Sequence, residues 1–193
     1  MSLMGIDIGT TGTKAIAFSE QGKILASAYK EYNLLFPQPG WVEFDVEDMW
    51  EKILGVIKTV NLHPAVKKDP VEALATSTFG DSFTPIDENG NTIYNTIYSS
   101  DSRSLKELDY ILSIIPAKEL YYMTGLPPQY VTPLNKLLWL RNNEPGIFKK
   151  AKKMLFTEEL LHHKLGLRDY HINYPLSSTS LFFDIREKKW SLD

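Results

Sequence analysis

The chain has no cysteine. That excludes disulfides, thiolate metal ligands and cysteine nucleophiles, and it fits a reducing compartment. No apolar run approaches the roughly 20 residues that span a bilayer. The start, Met1-Ser2-Leu3-Met4, leads straight into a strand carrying Asp7 rather than into a signal peptide. Basic residues show no excess, with 21 Lys and Arg against 24 Asp and Glu and a net charge of −3. The electrostatic footprint of a nucleic-acid binder is therefore missing. Lys149, Lys150, Lys152 and Lys153 form one short basic cluster, read as a solvated helix face. There is no Gly-x₄-Gly-Lys-Ser/Thr loop, no Gly-x-Gly-x-x-Gly fingerprint, no internal repeat and no flexible linker. The four histidines, His63, His162, His163 and His171, have no metal-ligand spacing. These exclusions leave a cytoplasmic protein acting on neither nucleic acid nor membrane.

What is present is a balance of 43% apolar and 23% charged residues over 193 positions, with four Trp, ten Tyr and nine Phe. This suffices for one sizeable core. Leu3 to Ile8, Lys14 to Ser19 and Lys23 to Tyr32 are apolar strands separated by Gly-rich turns, an antiparallel meander. Asp45 is placed to cap a helix whose buried face is Val46, Met49, Trp50, Ile53, Ile57 and Val60. Val71 to Thr78 is expected as a fourth strand, in the sheet interior. Asn89-Gly90 predicts a two-residue hairpin turn between Phe83–Asp87 and Thr92–Tyr98. Helices are expected from Ser102 to Ile115, from Pro116 to Gly125 and from Pro133 to before Pro145. Met154 to Phe156 reads as a buried strand, Thr157 as the cap of a helix closed by Gly166, and Ser180 to Ile185 as a last strand. A meander followed by alternating helices and strands is an α/β pattern with a mixed sheet and helices on its faces.

The chemistry concentrates in Asp7-Ile8-Gly9-Thr10-Thr11-Gly12-Thr13-Lys14. A carboxylate at a strand end suits hydrated Mg²⁺, which keeps most of its waters. Gly9 and Gly12 allow a tight turn and a close approach of backbone to ligand. Such a turn aims backbone N–H groups at an anion. Thr10, Thr11 and Thr13 add hydroxyls, and Lys14 a charge for phosphate oxygens.

This opening, with Glu20-Gln21-Gly22-Lys23 after it, resembles that of the FGGY carbohydrate kinases, within the actin/Hsp70-like (RNase H-like) ATPase superfamily. The resemblance continues in order through Gly40-Trp41-Val42-Glu43-Phe44-Asp45 and Trp50, through Asp87-Glu88-Asn89-Gly90 and Ile97 to Arg103, and through Thr124-Gly125, Pro133 to Trp139 and Asn173 to Phe183. It covers essentially the whole chain. The resemblance implies ATP-dependent phosphorylation of a sugar, polyol or sugar acid, with gluconate or a ketose favoured. It implies ATP phosphates on Thr10, Thr11, Gly12, Thr13 and Lys14, and Mg²⁺ held by Asp7 through water. It places Gly80, Asp81, Asp101, Arg103 and Tyr130 along the carbohydrate.

Other readings stand beside these. Asp81 and Asp101 also suit loop or cap positions, Arg103 a brace for Asp101, and Tyr130 the core. Ser99 stands where the family usually has Trp. Gly80-Asp81 replaces the Met-His or Arg-Glu pair of familiar subgroups, so the pocket differs from an ordinary xylulokinase or glycerol kinase. The resemblance further implies that residues 1–193 are an N-terminal lobe, with the general-base aspartate and the nucleotide-holding lobe beyond Asp193. The chain by itself is then expected to be inactive. A homodimer is admitted. A non-kinase ATP-binding protein of the same superfamily, and a non-catalytic domain that kept the fold, are the alternatives.

Overall fold

Strand β1 (Ser2–Ile8) alternates buried and open residues, with Met4, Ile6 and Ile8 turned inward. In this computed structural model, which describes residues 1–191, the elements follow in chain order. After β1 come β2 (Gly12–Ser19), β3 (Ile24–Glu31), β4 (Leu34–Leu35), β5 (Glu43–Phe44), α1 (Val46–Leu62), α2 (Pro64–Lys68) and β6 (Val71–Thr78). Next are β7 (Phe83–Ile86), β8 (Thr96–Ile97), α3 (Leu105–Ile114), α4 (Ala117–Thr124), α5 (Pro133–Asn143) and α6 (Pro145–Lys150). The last are β9 (Lys153–Phe156), α7 (Thr157–Lys164), α8 (Tyr174–Ser178), β10 (Phe183–Asp184) and β11 (Lys189–Trp190). Among the described residues no helix is long and apolar enough to cross a membrane. The chain divides into two compact units, Met1–Leu34 with Asp45–Phe79, and Leu35–Phe44 with Gly80 onward. No linker composition marks that division.

In the first unit β1, β2 and β3 form the expected meander, and β6 adds parallel to β1, giving the order β3-β2-β1-β6. One face carries Met4, Ile6, Ile8, Ala15, Ala17 and Ala26, all buried. Helix α1 covers β2 and β3 with Met49, Ile53, Val56 and Val60. Small alanines opposite bulkier helix residues let helix and sheet approach closely. Asp45 caps the helix: its Oδ1 accepts from the N–H groups of Glu47 and Asp48 at 2.9 and 3.0 Å. This satisfies two of the orphan amides of a helix start.

The position of β6 corrects the expectation of an interior strand. It ends the four-stranded sheet, and Leu74 is 43% exposed. Its apolar run, Val-Glu-Ala-Leu-Ala, reads like a strand covered on both faces, but α1 lies over β2 and β3 instead.

In the second unit a five-stranded sheet runs β4-β5-β8-β7-β9. Phe83, Ile97, Trp139 and Leu140 form its core, with Trp41, Leu137, Phe148 and Met154 packed around them. The turn after β7 differs from the expected two-residue type. Asp87 N–H donates to Asn91 O at 2.9 Å and Gly90 N–H to Asp87 O at 3.1 Å, so the loop holds three residues. Gly90 takes the left-handed conformation at φ +83°, while Asn89 stays at negative φ. The Asp87 carboxylate accepts from the N–H groups of Asn89 and Asn91, and this decides the longer loop. Helix α7 also starts one position early: Phe156 is its N-cap, and Glu159 Oε2 accepts the Phe156 N–H at 3.0 Å. Helix α8, begun by the Asn173 cap, had no expectation in the sequence.

Candidate functional site

The hairpin from Asp7 to Lys14 lies in the first unit. Asp7 and Lys14 are direct cross-strand neighbours on β1 and β2, and both side chains are exposed. Among the described residues neither enters an ion pair, nor does the Asp7 carboxylate accept a hydrogen bond. With Ser77 of β6 they border a depression of about 300 Å³ lined by Gly5, Ile16 and Ala75. A free carboxylate beside a free ammonium at a strand end fits a hydrated divalent cation together with phosphate oxygens.

The turn itself is held from within. Gly9 N–H donates to Gly12 O at 3.0 Å. The Tyr32 hydroxyl, brought under the turn by the end of β3, sits 2.5 Å from the Gly9 carbonyl and 3.2 Å from that of Gly12. Gly12 has no room for a side chain: a Cβ there would lie 2.5 Å from Lys30 O and 2.6 Å from the Tyr29 hydroxyl. Thr13, expected to offer a hydroxyl to phosphate, is buried and donates to the Asp7 carbonyl at 3.0 Å. Its place on the inward face of β2 follows from strand alternation, which puts Lys14 outward. Thr11 is exposed, and its N–H has no acceptor among the described residues. A free amide at the tip of the turn is what an anion site requires.

The residues expected along a carbohydrate lie in the second unit, and the structure sorts them. Asp81 takes a left-handed conformation at φ +56°, rare for a residue with a side chain. Its carboxyl is half-buried, and its pKa is raised by burial, partly offset by the Lys136 charge and the Thr179 hydroxyl. Gly80 precedes it against Thr179 and Leu176. A partly dehydrated carboxylate of this kind is a strong acceptor for a hydroxyl.

Asp101 and Arg103 are both turned inward, with no exposed side-chain surface. Asp101 Oδ1 accepts from the Arg103 N–H at 2.9 Å, and Oδ2 accepts from the Val42 N–H. Arg103 also bonds Glu43 Oε1 at 2.7 Å, and its guanidinium lies 3.8 Å from the Trp41 ring centre and 4.8 Å from that of Trp139. Trp41 and Trp139 meet edge to face at 5.1 Å. The Asp101 oxygens and the guanidinium are thus answered inside the unit. Tyr130 is half-buried, and its carbonyl accepts from the Ser104 hydroxyl at 3.4 Å.

Sequence reasoning missed Lys136. Its amine is completely buried and donates to the carbonyls of Asp81 and Tyr98. The available signal was a lysine three residues before Trp139 on the inward face of α5, where an apolar residue is the norm.

These features define a class: an α/β protein whose mixed sheet opens with a tight antiparallel hairpin on its first two strands. The family follows. The model of the N-terminal domain of the FGGY family of carbohydrate kinases matches residues 2–193, and the chain belongs to that family. Among curated proteins it is 30% identical to a glycerol kinase of Caldanaerobacter subterraneus subsp. tengcongensis, over 97% of this chain and 39% of the relative. It is 29% identical to a gluconokinase of Bacillus subtilis, over 97% of this chain and 36% of the relative. Among solved structures, a xylulose kinase of Rhodospirillum rubrum superposes with a TM-score of 0.94 at 21% identity, over all of this chain and 39% of that one. The chain therefore spans little more than a third of the length of the curated relatives it matches.

Proposed function

We propose that this domain belongs to a protein that, as a whole, transfers the γ-phosphoryl group of ATP to a hydroxyl of a small polyol, sugar or sugar acid. The observation that carries this is the hairpin, where Asp7, Lys14 and the Thr11 N–H are all without protein partners. Phosphoryl transfer depends mainly on positioning and on neutralising charge on the phosphate oxygens. In this reading the backbone from Thr10 to Gly12 and the Lys14 ammonium bind phosphate, and Asp7 holds water bound to Mg²⁺. When bound, Mg²⁺ neutralises phosphate charge. Thr13 acts beneath the turn, keeping the end of β1 in place. Asp81 accepts a carbohydrate hydroxyl, with Gly80 leaving space beside it. Asp101 and Arg103 act from behind, fixing the loop that follows β8, and Tyr130 lines the approach. The names of the curated relatives put glycerol and gluconate first among acceptors, and the structural neighbour adds xylulose.

A thermal-shift screen with glycerol, D-gluconate and D-xylulose, each with and without Mg-ATP, tests the reading. A ligand at 100 times its Kd stabilises the native state by about 2.7 kcal/mol. At least one carbohydrate is expected to raise Tm. Shifts with nucleotide alone would favour an ATP-binding protein that uses no sugar.

A further inference from the structure

The Lys136 amine lies 2.6 Å from the Asp81 carbonyl and 2.8 Å from the Tyr98 carbonyl, with its side chain entirely buried. The two carbonyls belong to two separate loops, one before β7 and one after β8. The Tyr98 carbonyl also accepts the Asp101 N–H at 3.1 Å, so one oxygen joins Lys136 to the buried Asp101–Arg103 pair. Asp81 stands at φ +56°, a strained conformation for a residue with a Cβ that persists only where its surroundings enforce it.

We propose that Lys136 is a positioning residue: it ties the Asp81 loop to the Tyr98 loop and holds the Asp81 carboxylate in its substrate-facing orientation. This rests on the reading of Asp81 as the acceptor for a carbohydrate hydroxyl. A lysine placed only to fill space would be replaced by an apolar residue without loss, since burying an amine is costly. Here helix α5 carries it to two carbonyls on separate loops. A neutral amine has two N–H groups, the number of acceptors present, whereas an ammonium leaves a third unanswered. The charged groups that face it are Asp81, Asp101 and Arg103. Burial, as the larger influence, brings its pKa down to about 7.

The test uses nuclear magnetic resonance on the wild-type protein and on Lys136→Met. In the wild type, the Lys136 side-chain nitrogen should titrate near neutral pH, and the Asp81 and Tyr98 carbonyl carbons should move with the same midpoint. In Lys136→Met, Asp81 should lose its left-handed backbone coupling. The affinity for the bound member of glycerol, D-gluconate and D-xylulose should fall roughly tenfold, the scale of one lost hydrogen bond. If the two carbonyl carbons ignore the Lys136 titration, the tie does not exist, and this holds even if Lys136→Met fails to fold. A folded Lys136→Met with unchanged Asp81 coupling and unchanged affinity overturns the proposal equally. Failure of all three carbohydrates to bind the wild type overturns the kinase reading instead, and the titration is scored apart from it.

Discussion

Arg103 grips Asp101 through two parallel bonds, Nε to Oδ1 at 2.9 Å and Nη2 to Oδ2 at 2.7 Å, and neither side chain is exposed. The fork geometry of a guanidinium matches a carboxylate in a way no lysine reproduces. Removing one member strands the other charge in the protein interior, which costs roughly 3–5 kcal/mol. Asp101→Ala is therefore expected to lower unfolding free energy by that amount, read from urea denaturation. A change below about 0.5 kcal/mol, the range of ordinary surface substitutions, would show that the pair is not buried in solution.

Lys136 sets a pH dependence of stability with a definite sign. Its pKa is about 7 in the folded protein against 10.5 for an ordinary lysine. Between those values the unfolded chain binds more protons than the folded one, so stability rises with pH through that window. Below it both states are protonated, and the cost of the buried ammonium is present in full. The difference in unfolding free energy between wild type and Lys136→Met should shift in favour of the wild type, by up to about 1.4 kcal/mol per pH unit. A difference that is flat from neutral to alkaline pH would contradict the account.

Tyr32→Phe removes the hydroxyl shared by the Gly9 and Gly12 carbonyls. The loss should be about 1 kcal/mol, the net worth of one hydrogen bond. Amide exchange should accelerate from Gly9 to Thr13 and stay unchanged in the second unit.

Gly12→Ala puts a methyl against the Lys30 carbonyl and the Tyr29 hydroxyl. The backbone carbonyl cannot swing away, so β2 and β3 must separate locally, at about 1–3 kcal/mol. Phosphate binding at the turn should weaken alongside. The neighbouring Gly9 has its nearest such contact at 3.4 Å, so Gly9→Ala is expected to be the milder change.

Much of this was legible in the sequence, and for local reasons. The Asp45 cap, the Val46, Met49, Ile53 and Val60 positions of the α1 stripe, the meander and the Gly125 helix stop are each fixed by residues close in the chain, whereas Val56 rather than Ile57 completes the buried face. The hairpin was legible as a turn because Gly9 and Gly12 stand between two short apolar strands. What escaped depends in part on residues distant in sequence and in part on local bonds that outweigh the pattern read there. The edge position of β6 in the described sheet follows from its parallel pairing with β1, far off in sequence. The three-residue loop at Glu88 to Gly90 is decided by the Asp87 carboxylate rather than by Asn89-Gly90. The inward turn of Thr13 was implicit in strand alternation and was masked by the run of threonines around it. The Lys136 bonds span 55 and 38 positions, beyond any local pattern.

The most direct measurement follows backbone amide shifts while Mg-ATP is added to the wild-type protein and to Lys14→Met. The account predicts shifts centred on residues 7–14, largest at Thr11, weaker when Mg²⁺ is withheld and largely lost in Lys14→Met. Shifts that leave residues 7–14 untouched, or that persist unchanged in Lys14→Met, would contradict the claim that this hairpin holds phosphate.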